Sequence, residues 1–468
     1  MQTTFSEALS RAPLRAFSVA SFVICMLVLV CDGMDAQLLG IVAPKVIEEF
    51  GVKGGTFGIA MSAALVGFGL GSWGGGWLGD RIGRRWSLAL AALVFSLATI
   101  GASWSAGEEP YGFSIDAFSW FSIALKAPEG VWELAAWRVV GGLGFGSAYA
   151  NAIALAGEWL PERWRSVGVT TLSVGTPAGG LVVAALAPTL VDLYGWRGSF
   201  IVIGLATLLV VVLIVGVLRD SPSFLLAKGK ADDARAAARK VITGDIDLAP
   251  ERHHTDRDGA SVGVFDRSNL RLNLGIGIAF AAATTCAYGI LNWTTTMLTA
   301  KGFSFEEASY AVSVAGLTSI ASSIAAGLLV QRFGSRIVMA LLSVSLLLTL
   351  LVLGFHLEQL SGVPVEGERT VIVALIGLAA ALFSAAIASF YAMMTYGYPP
   401  SCRSAGIGFG IFVGRIGAIS ASGLGGWLLD LGEGSVVPFF TVLSVAAILI
   451  SAASIIVDRQ VPPARSKA

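Results

Sequence analysis

Gly71–Arg85 reads GSWGGGWLGDRIGRR: small residues closing one apolar run, a tight basic turn, then the start of the next apolar run. A related stretch, Gly327–Arg336, reads GLLVQRFGSR. Gly76, Arg81, Gly83 and Arg85 recur as Gly327, Arg332, Gly334 and Arg336, all at one offset. A hairpin used twice in this way marks a chain built of two related halves.

The 468 residues are 55% hydrophobic and 13% charged, with formal net charge +0 and mean hydropathy +0.77. Soluble domains carry about 25% charged residues. The composition therefore belongs to a polytopic membrane protein whose main partner is the lipid bilayer. One span takes about 20 apolar residues. Twelve such stretches fit: 17–43, 56–79, 86–105, 134–157, 167–190, 198–218, 273–299, 307–330, 336–356, 370–394, 405–429 and 435–457. The expected fold is an all-α membrane protein, twelve transmembrane helices in two pseudo-symmetric six-helix bundles. Residues 1–218 and 272–468 would form the bundles. The polar segment 219–271 would link them, with Lys228, Lys230, Arg235, Arg239, Lys240 and Arg252 in it and a short surface helix at Ala231–Val241.

A neutral chain gives no case for nucleic acid. Cys25, Cys31, Cys286 and Cys402 include no CxxC and no Cys/His cluster, so neither a disulfide framework nor a metal site is expected. The first apolar run is long, lacks an obvious cleavage site and contains acids, so it reads as a span and not as a cleavable leader.

Lys and Arg placement orients the spans. Arg11, Arg15, the Arg81–Arg85 turn, Arg163, Arg165, the linker, Arg332, Arg336, Arg403 and the tail residues Arg459, Arg465 and Lys467 fall on one side. The other loops are acidic or sparse, as at Glu48/Glu49, Glu108/Glu109, Glu306/Glu307 and Asp430/Glu433. Both termini are therefore expected in the cytoplasm.

A second repeat pairs Pro161, Arg165 and Gly168 with Pro399, Arg403 and Gly406, at a shorter offset than the first. The first half must hold extra residues between the two motifs, and the outer loop Gly107–Gly130 is where they fit. That aromatic, amphipathic loop either lies at the membrane surface or is a tolerated insertion. Halves repeated in one topology imply a pseudo-two-fold axis along the membrane normal and a binding site between them near the midplane.

Charges inside spans are costly and mark function. Asp32 and Asp35 lie in the first span at i, i+3, nearly one helical face. Two carboxylates in a low-dielectric cavity repel, which suits a pair that takes up a proton on one side and releases it on the other. Gly33 between them allows close helix contact or a local bend. Arg138, in the fourth span, keeps its charge and demands an anion if buried; either acid would serve. Gly141, Gly142, Gly144 and Gly146 beside it let helices approach. Arg415, in the eleventh span, has no equally deep acid in its own half. It would meet a substrate carboxylate bidentately, or else backbone carbonyls or an acid of the first half.

Tyr288, Asn292 and Trp293 in the seventh span, and Tyr391 and Thr395 in the tenth, suit a planar ligand or serve as packing and interface aromatics. At the basic turn, Asp80 would pair with neighbouring arginines or with a helix N-terminus of the other half. A contact made in one state and broken in another is a gate, which Glu158 and Arg165 would join. Arg84 completes the turn. Gln331 replaces the acid in the second half, so the gate is expected to be asymmetric.

These motifs resemble the major facilitator superfamily. GWLGDRIGRR resembles its signature between helices 2 and 3. The segment Arg138–Gly144 resembles its fourth-helix motif, Gly195–Phe200 an element before helix 6, and Asp220–Leu225 the element after it. Within the superfamily the chain is similar to the aromatic acid:proton symporters. Asp32–Asp35 (DGMD) resembles their first-helix motif, Asn292-Trp293 a seventh-helix segment and Gly414–Ala418 (GRIGA) an eleventh-helix segment. The family's Leu-Pro after Asn-Trp is Thr-Thr here. The resemblance implies a multi-pass carrier of the bacterial inner membrane, working as a monomer without cofactor or metal and not an enzyme. It would import a hydroxybenzoate-like aromatic acid together with protons, with Asp32 and Asp35 coupling the proton and Arg415 meeting the substrate. A symporter for another organic anion or a sugar, an exporter, and a non-transporting receptor are the alternatives. Gly175–Gly180 (GTPAGG) only partly matches the helix-5 element of antiporters, which leans toward symport.

Overall fold

The computed structural model describes residues 3–10, 12–106, 110–118, 121–242, 248–249, 263–360, 362–399 and 402–463. Arg11, Glu108, Glu109, Arg252, Arg465 and Lys467 lie outside them. Among the described residues, eleven helices are long and apolar enough to cross a bilayer. One of these, Gly175–Val217, is broken at Gly195 (φ 68°, ψ 178°) and is two helices end to end. The twelve are α1 Ala16–Phe50, α2 Gly54–Ile82, α3 Arg84–Ala102, α4 Glu129–Trp159, α5 175–194, α6 196–217, α7 Leu270–Ala300, α8 Phe305–Phe333, α9 Ser335–Gln359, α10 Glu366–Gly397, α11 Arg403–Leu431 and α12 Val437–Ile456. The all-α expectation holds.

The fifth span departs from its expected form. A short helix, Glu162–Leu172, precedes α5, and the helix is interrupted at residues 173–174. Pro177 supplies the reason: it has no N–H to give to the Ser173 carbonyl, and its ring crowds that position, whereas the first turn of a new helix accepts it.

The opening motif resolves into two kinds of glycine. On α2, Gly67, Gly71, Gly75 and Gly79 recur every four residues. A Cβ on them would run into Val139, Leu143, Ser147 and Asn151 of α4, which have the same spacing. From the other side, Gly142 and Gly146 of α4 abut the backbone at Ala64 and Phe68. The two helices are thus in close contact along the second half of α2. Asn151, fully buried, fastens the joint by donating to the Gly75 and Ser147 carbonyls (2.9 and 2.8 Å) and to the Ser87 hydroxyl of α3 (2.9 Å). Gly74 and Gly76 face open space. The turn itself needs Gly83, whose φ of 100° disfavours any side chain. A Cβ there would also strike the Asp220 carboxylate, which accepts from the Arg85 amide (3.0 Å) at the start of α3. Asp220 thus caps α3 from the chain that follows α6. Burial pushes its carboxyl up, while the Arg85 amide and the charges of Arg85 and Lys230 pull it back.

The two sets of six helices meet mainly at the end opposite the chain termini. One continuous apolar core there joins Leu38, Val42, Phe57, Met61 and Val183 to Ile290, Trp293, Met297, Val312 and Ala315. Gln37 of α1 donates to the Leu291 carbonyl of α7 (2.7 Å). Gly58 of α2 lies against the Gly423 backbone of α11. The amides of Gly54 and Gly55, the first turn of α2, donate to the Asp430 carboxylate at the end of α11 (3.2 and 2.7 Å). An acid at a helix N-terminus is favoured by the helix dipole.

At the terminal end a second core contains first-half residues and the link alone. Phe5 and Leu9 of the short helix Phe5–Ser10 are buried there beside Trp159, and Ala237, Val241, Ile242 and Leu248 join them. Thr3–Thr4 pairs in parallel with Leu248–Ala249. The short helix expected in the link is Ala231–Ala238.

Two further features mark the opposite end. The loop between α3 and α4 is a β-hairpin, Pro110–Phe118 against Phe121–Pro128, with Phe113 opposite Leu125 in register. The first turns of α6 and α10 at that end also carry arginines, each beside an acid: Arg197 pairs with Glu49 and Arg369 with Glu307.

The adjacent glycines 75 and 76 give a sharp test. Gly75→Val overpacks the α2–α4 contact, at a cost of about 1–3 kcal/mol, and should lower the thermal midpoint of the detergent-purified protein. Gly76→Ala, one residue on, should leave it unchanged or raise it slightly, by the helix-propensity gain of up to about 1 kcal/mol.

Candidate functional site

The two acids of α1 point to different neighbours. Asp35 Oδ2 receives Nη1 of Arg138 at 2.7 Å, and its Oδ1 receives the Thr99 hydroxyl of α3 at 3.0 Å. Both side chains of the pair are under 10% exposed. Asp32 is 2% exposed. Its Oδ2 accepts only the Thr176 hydroxyl (3.1 Å), and its Oδ1 is buried without a partner. Gly33 makes this contact possible. A Cβ on it would overlap the Thr176 backbone, and one on Gly179 the Val30 carbonyl, so α1 and α5 touch and the Thr176 hydroxyl reaches Asp32. One acid is therefore spent in an ion pair and the other is held ready by a single hydroxyl.

Arg415 sits midway along α11 and makes no ion pair among the described residues. Nη1 donates to the Tyr288 hydroxyl of α7 (3.1 Å). Its guanidinium carbon lies 3.8 Å from the ring centroid of Phe68, midway along α2 in the other half. Phe68 is held from behind by edge contacts to Phe145 (4.5 Å) and Tyr149 (6.0 Å) of α4. Asp32 lies within electrostatic range of Asp35, Arg415 and Arg138. Tyr149 lies within range of Arg415, Asp32, Tyr288 and Tyr391. Tyr391 of α10 is 41% exposed and set edge-on to Phe280. The arrangement sets phenols and rings around one cation and one acid, on helices of different halves, that make no ion pair among the described residues.

Asn292 and Trp293 do not join it. The Asn292 amide donates to the Ser422 hydroxyl (2.8 Å), and the Trp293 indole donates to the Ser422 carbonyl (3.2 Å). Trp293 is fully buried against Gly425 and Gly426. Their i, i+1 positions turn both toward α11, where small residues admit an indole. Thr395 is exposed one turn from Tyr391 and donates to its backbone carbonyl (2.8 Å). Phe68, Tyr149, Thr99, Thr176 and Phe280 are the site residues that sequence reasoning missed. Only Phe68 carried a signal, as the one aromatic in the run Gly67–Gly71.

At the terminal end, Asp80 pairs with Arg84 one turn along its own hairpin, and Arg84 lies 3.8 Å from Glu158. Arg81 covers Trp77, and Arg85 bonds the Val215 carbonyl. Arg165 and Glu158 line a cavity of about 320 Å³ beneath the N-terminal helix. Arg332 covers Phe333, and Arg403 donates to the Tyr398 carbonyl (3.4 Å). These contacts all stay within one half. Of the two partners expected for Asp80, the neighbouring arginine is the one it meets here, and the helix N-terminus of the other half is not. The same interaction exists at the opposite end with the halves exchanged, between Asp430 and α2.

The family model described as Major Facilitator Superfamily matches residues 25–363. The chain is 26% identical over 430 residues to a protein named 4-hydroxybenzoate transporter PcaK of Pseudomonas aeruginosa, covering 90% of this chain and 88% of that one. It is 26% identical over 441 residues to a protein named gallate transporter of Pseudomonas putida, covering 93% and 90%. In three dimensions it resembles a D-xylose-proton symporter, with a TM-score of 0.68 at 18% identity, covering 97% of this chain and 100% of that one. With that match and twelve spanning helices, the chain belongs to the Major Facilitator Superfamily, as a multi-pass membrane carrier and not an enzyme.

Proposed function

We propose that this carrier is a symporter of the bacterial inner membrane, importing an aromatic carboxylate of the hydroxybenzoate kind with protons by alternating access. The observation that carries the reading is Arg415, a mid-membrane guanidinium with no ion pair among the described residues, bonded to the Tyr288 hydroxyl and stacked on Phe68. It would take the carboxylate bidentately, with the ring lying among the aromatic side chains. The relatives named for 4-hydroxybenzoate and gallate support the same chemistry. A sugar would want free amide side chains in the cavity, but Asn292 is engaged by Ser422 and Gln37 by the Leu291 carbonyl.

Asp32 would carry the proton. Asp35 and Arg138 would serve as a fixed ion pair that holds α1 against α4. Residues 1–218 and 272–468 would rock against each other about the site, with 219–271 as their link. Both termini would be cytoplasmic, so the end sealed by Asp430 and the α2 amides is the outer one and this state is closed to the outside. Asp80, Arg84, Glu158 and Arg165 would form the cytoplasmic side of the gate when the halves exchange contacts.

Proton flux into proteoliposomes, driven by a panel of benzoates, cinnamates, sugars and dicarboxylates, tests this reading. An aromatic acid should drive flux, and a panel in which only sugars or aliphatic acids do so refutes it. Asp32→Asn should cut flux more than 100-fold, as expected for a group acting in the coupling step, while leaving the thermal midpoint near wild type. Asp35→Asn should instead lower the midpoint, because a buried cation left unpaired costs about 3–5 kcal/mol. Arg415→Lys should raise KM by about tenfold or more, since an ammonium cannot reproduce the planar two-bond grip.

A further inference from the structure

The stack of Phe68 on Arg415 supports a more specific role than a wall of the site. Phe68 is 5% exposed, yet it is not an ordinary packing ring: one of its faces is given to a cation from the other half of the molecule, 3.8 Å away. Its own orientation is fixed by Phe145 and Tyr149, and its backbone lies against Gly146 of α4. Phe68 is thus rigid within the first half. Arg415 is long and flexible, and among the described residues the Tyr288 hydroxyl and this ring are what hold it. Phe68 and Arg415 each stand at the middle of their helix. The outer contact of Gly54 with Asp430 is about 20 Å away along both helices at 1.5 Å per residue. The stack therefore sits near the fulcrum of any rocking between α2 and α11, where displacement is least.

We infer that Phe68 is a positioning residue for the substrate: by holding one face of the guanidinium across the interface between the halves, it presents the free edge of Arg415 to an incoming carboxylate. The inference rests on the proposed role of Arg415. A guanidinium binds a carboxylate in its own plane, so whatever fixes that plane fixes the angle at which the substrate ring leaves the site. The attraction is between the cation and the electron density of the ring, not shape alone, and this makes it separable from packing.

The experiment replaces Phe68 with phenylalanine analogues carrying one, two and three ring fluorines, which drain the ring face while nearly preserving its shape. Two readouts are taken on the full-length protein: KM for the best aromatic acid of the panel, and the rate at which phenylglyoxal modifies Arg415, followed by mass spectrometry. KM should climb stepwise with fluorination, by about three- to thirtyfold at the end of the series, at unchanged Vmax and thermal midpoint. The modification rate should climb in parallel, and Phe68→Leu should behave like the most fluorinated analogue. A flat KM series in a protein that transports the acid overturns the inference and leaves the proposed function standing. If no aromatic acid is transported, the proposed function falls, and the modification series still decides the stack: a rise along it upholds Phe68 as the residue that holds Arg415, and a flat series overturns that as well.

Discussion

The ion pair between Asp35 and Arg138, 2.7 Å long and sealed among α1, α3 and α4, sets the charge to which the middle of the molecule answers. In a low-dielectric interior neither member can be left alone, so the pair fixes α1 against α4 and satisfies two of the four mid-span charges among the described residues. What remains is one acid and one cation on helices of different halves. Asp32 keeps a buried oxygen without a partner, and Arg415 keeps an edge of its guanidinium. Their freedom is a consequence of the first pair being complete.

Close helix contact makes that arrangement possible. α2 carries two sets of glycines with different neighbours. Gly67, Gly71, Gly75 and Gly79 press it into α4 over its second half, whereas Gly54 and Gly58 meet α11 near its first turns. It is therefore bonded to its own bundle along much of its length and to the other bundle at one end. A helix held in that way moves with its bundle and separates from its partner by tilting, with least motion at its middle. The same economy appears between α1 and α5, where Gly33 and Gly179 bring the Thr176 hydroxyl onto Asp32.

Sequence alone carried the architecture because the signals are long and redundant: apolar runs, a duplicated hairpin and a basic bias among loops. It also carried the charged residues of the site, since an ionisable group in an apolar run is visible without knowing its neighbours. The division between Asp32 and Asp35 was not legible. Their i, i+3 spacing places both on one face, and which one meets Arg138 depends on how α4 and α5 pack around α1. Aromatic residues were the least readable. Trp293 and Tyr288 looked alike in the sequence, yet one fills a slot beside Gly425 and Gly426 and the other faces Arg415. Phe68 was passed over because a phenylalanine in an apolar helix is ordinary, and its meaning comes from a cation 347 sequence positions away.

The charge balance at mid-membrane also bears on stoichiometry under the proposed cycle. Two carboxylates and two guanidiniums sum to zero when Asp32 is ionised. Protonating Asp32 leaves one net positive charge, and a bound monoanion cancels it. The empty carrier and the doubly loaded carrier are thus both neutral at the site, whereas a carrier holding only the proton or only the anion bears an uncompensated unit charge. Closing such a state away from water costs several kcal/mol, of the order of the effective penalty for one buried ion. Each 1.4 kcal/mol is a factor of ten, so half-loaded carriers would cross at most about a thousandth as often. Coupling then needs no direct contact between proton and substrate, because both are counted by the same closed volume. One proton would accompany each monoanion.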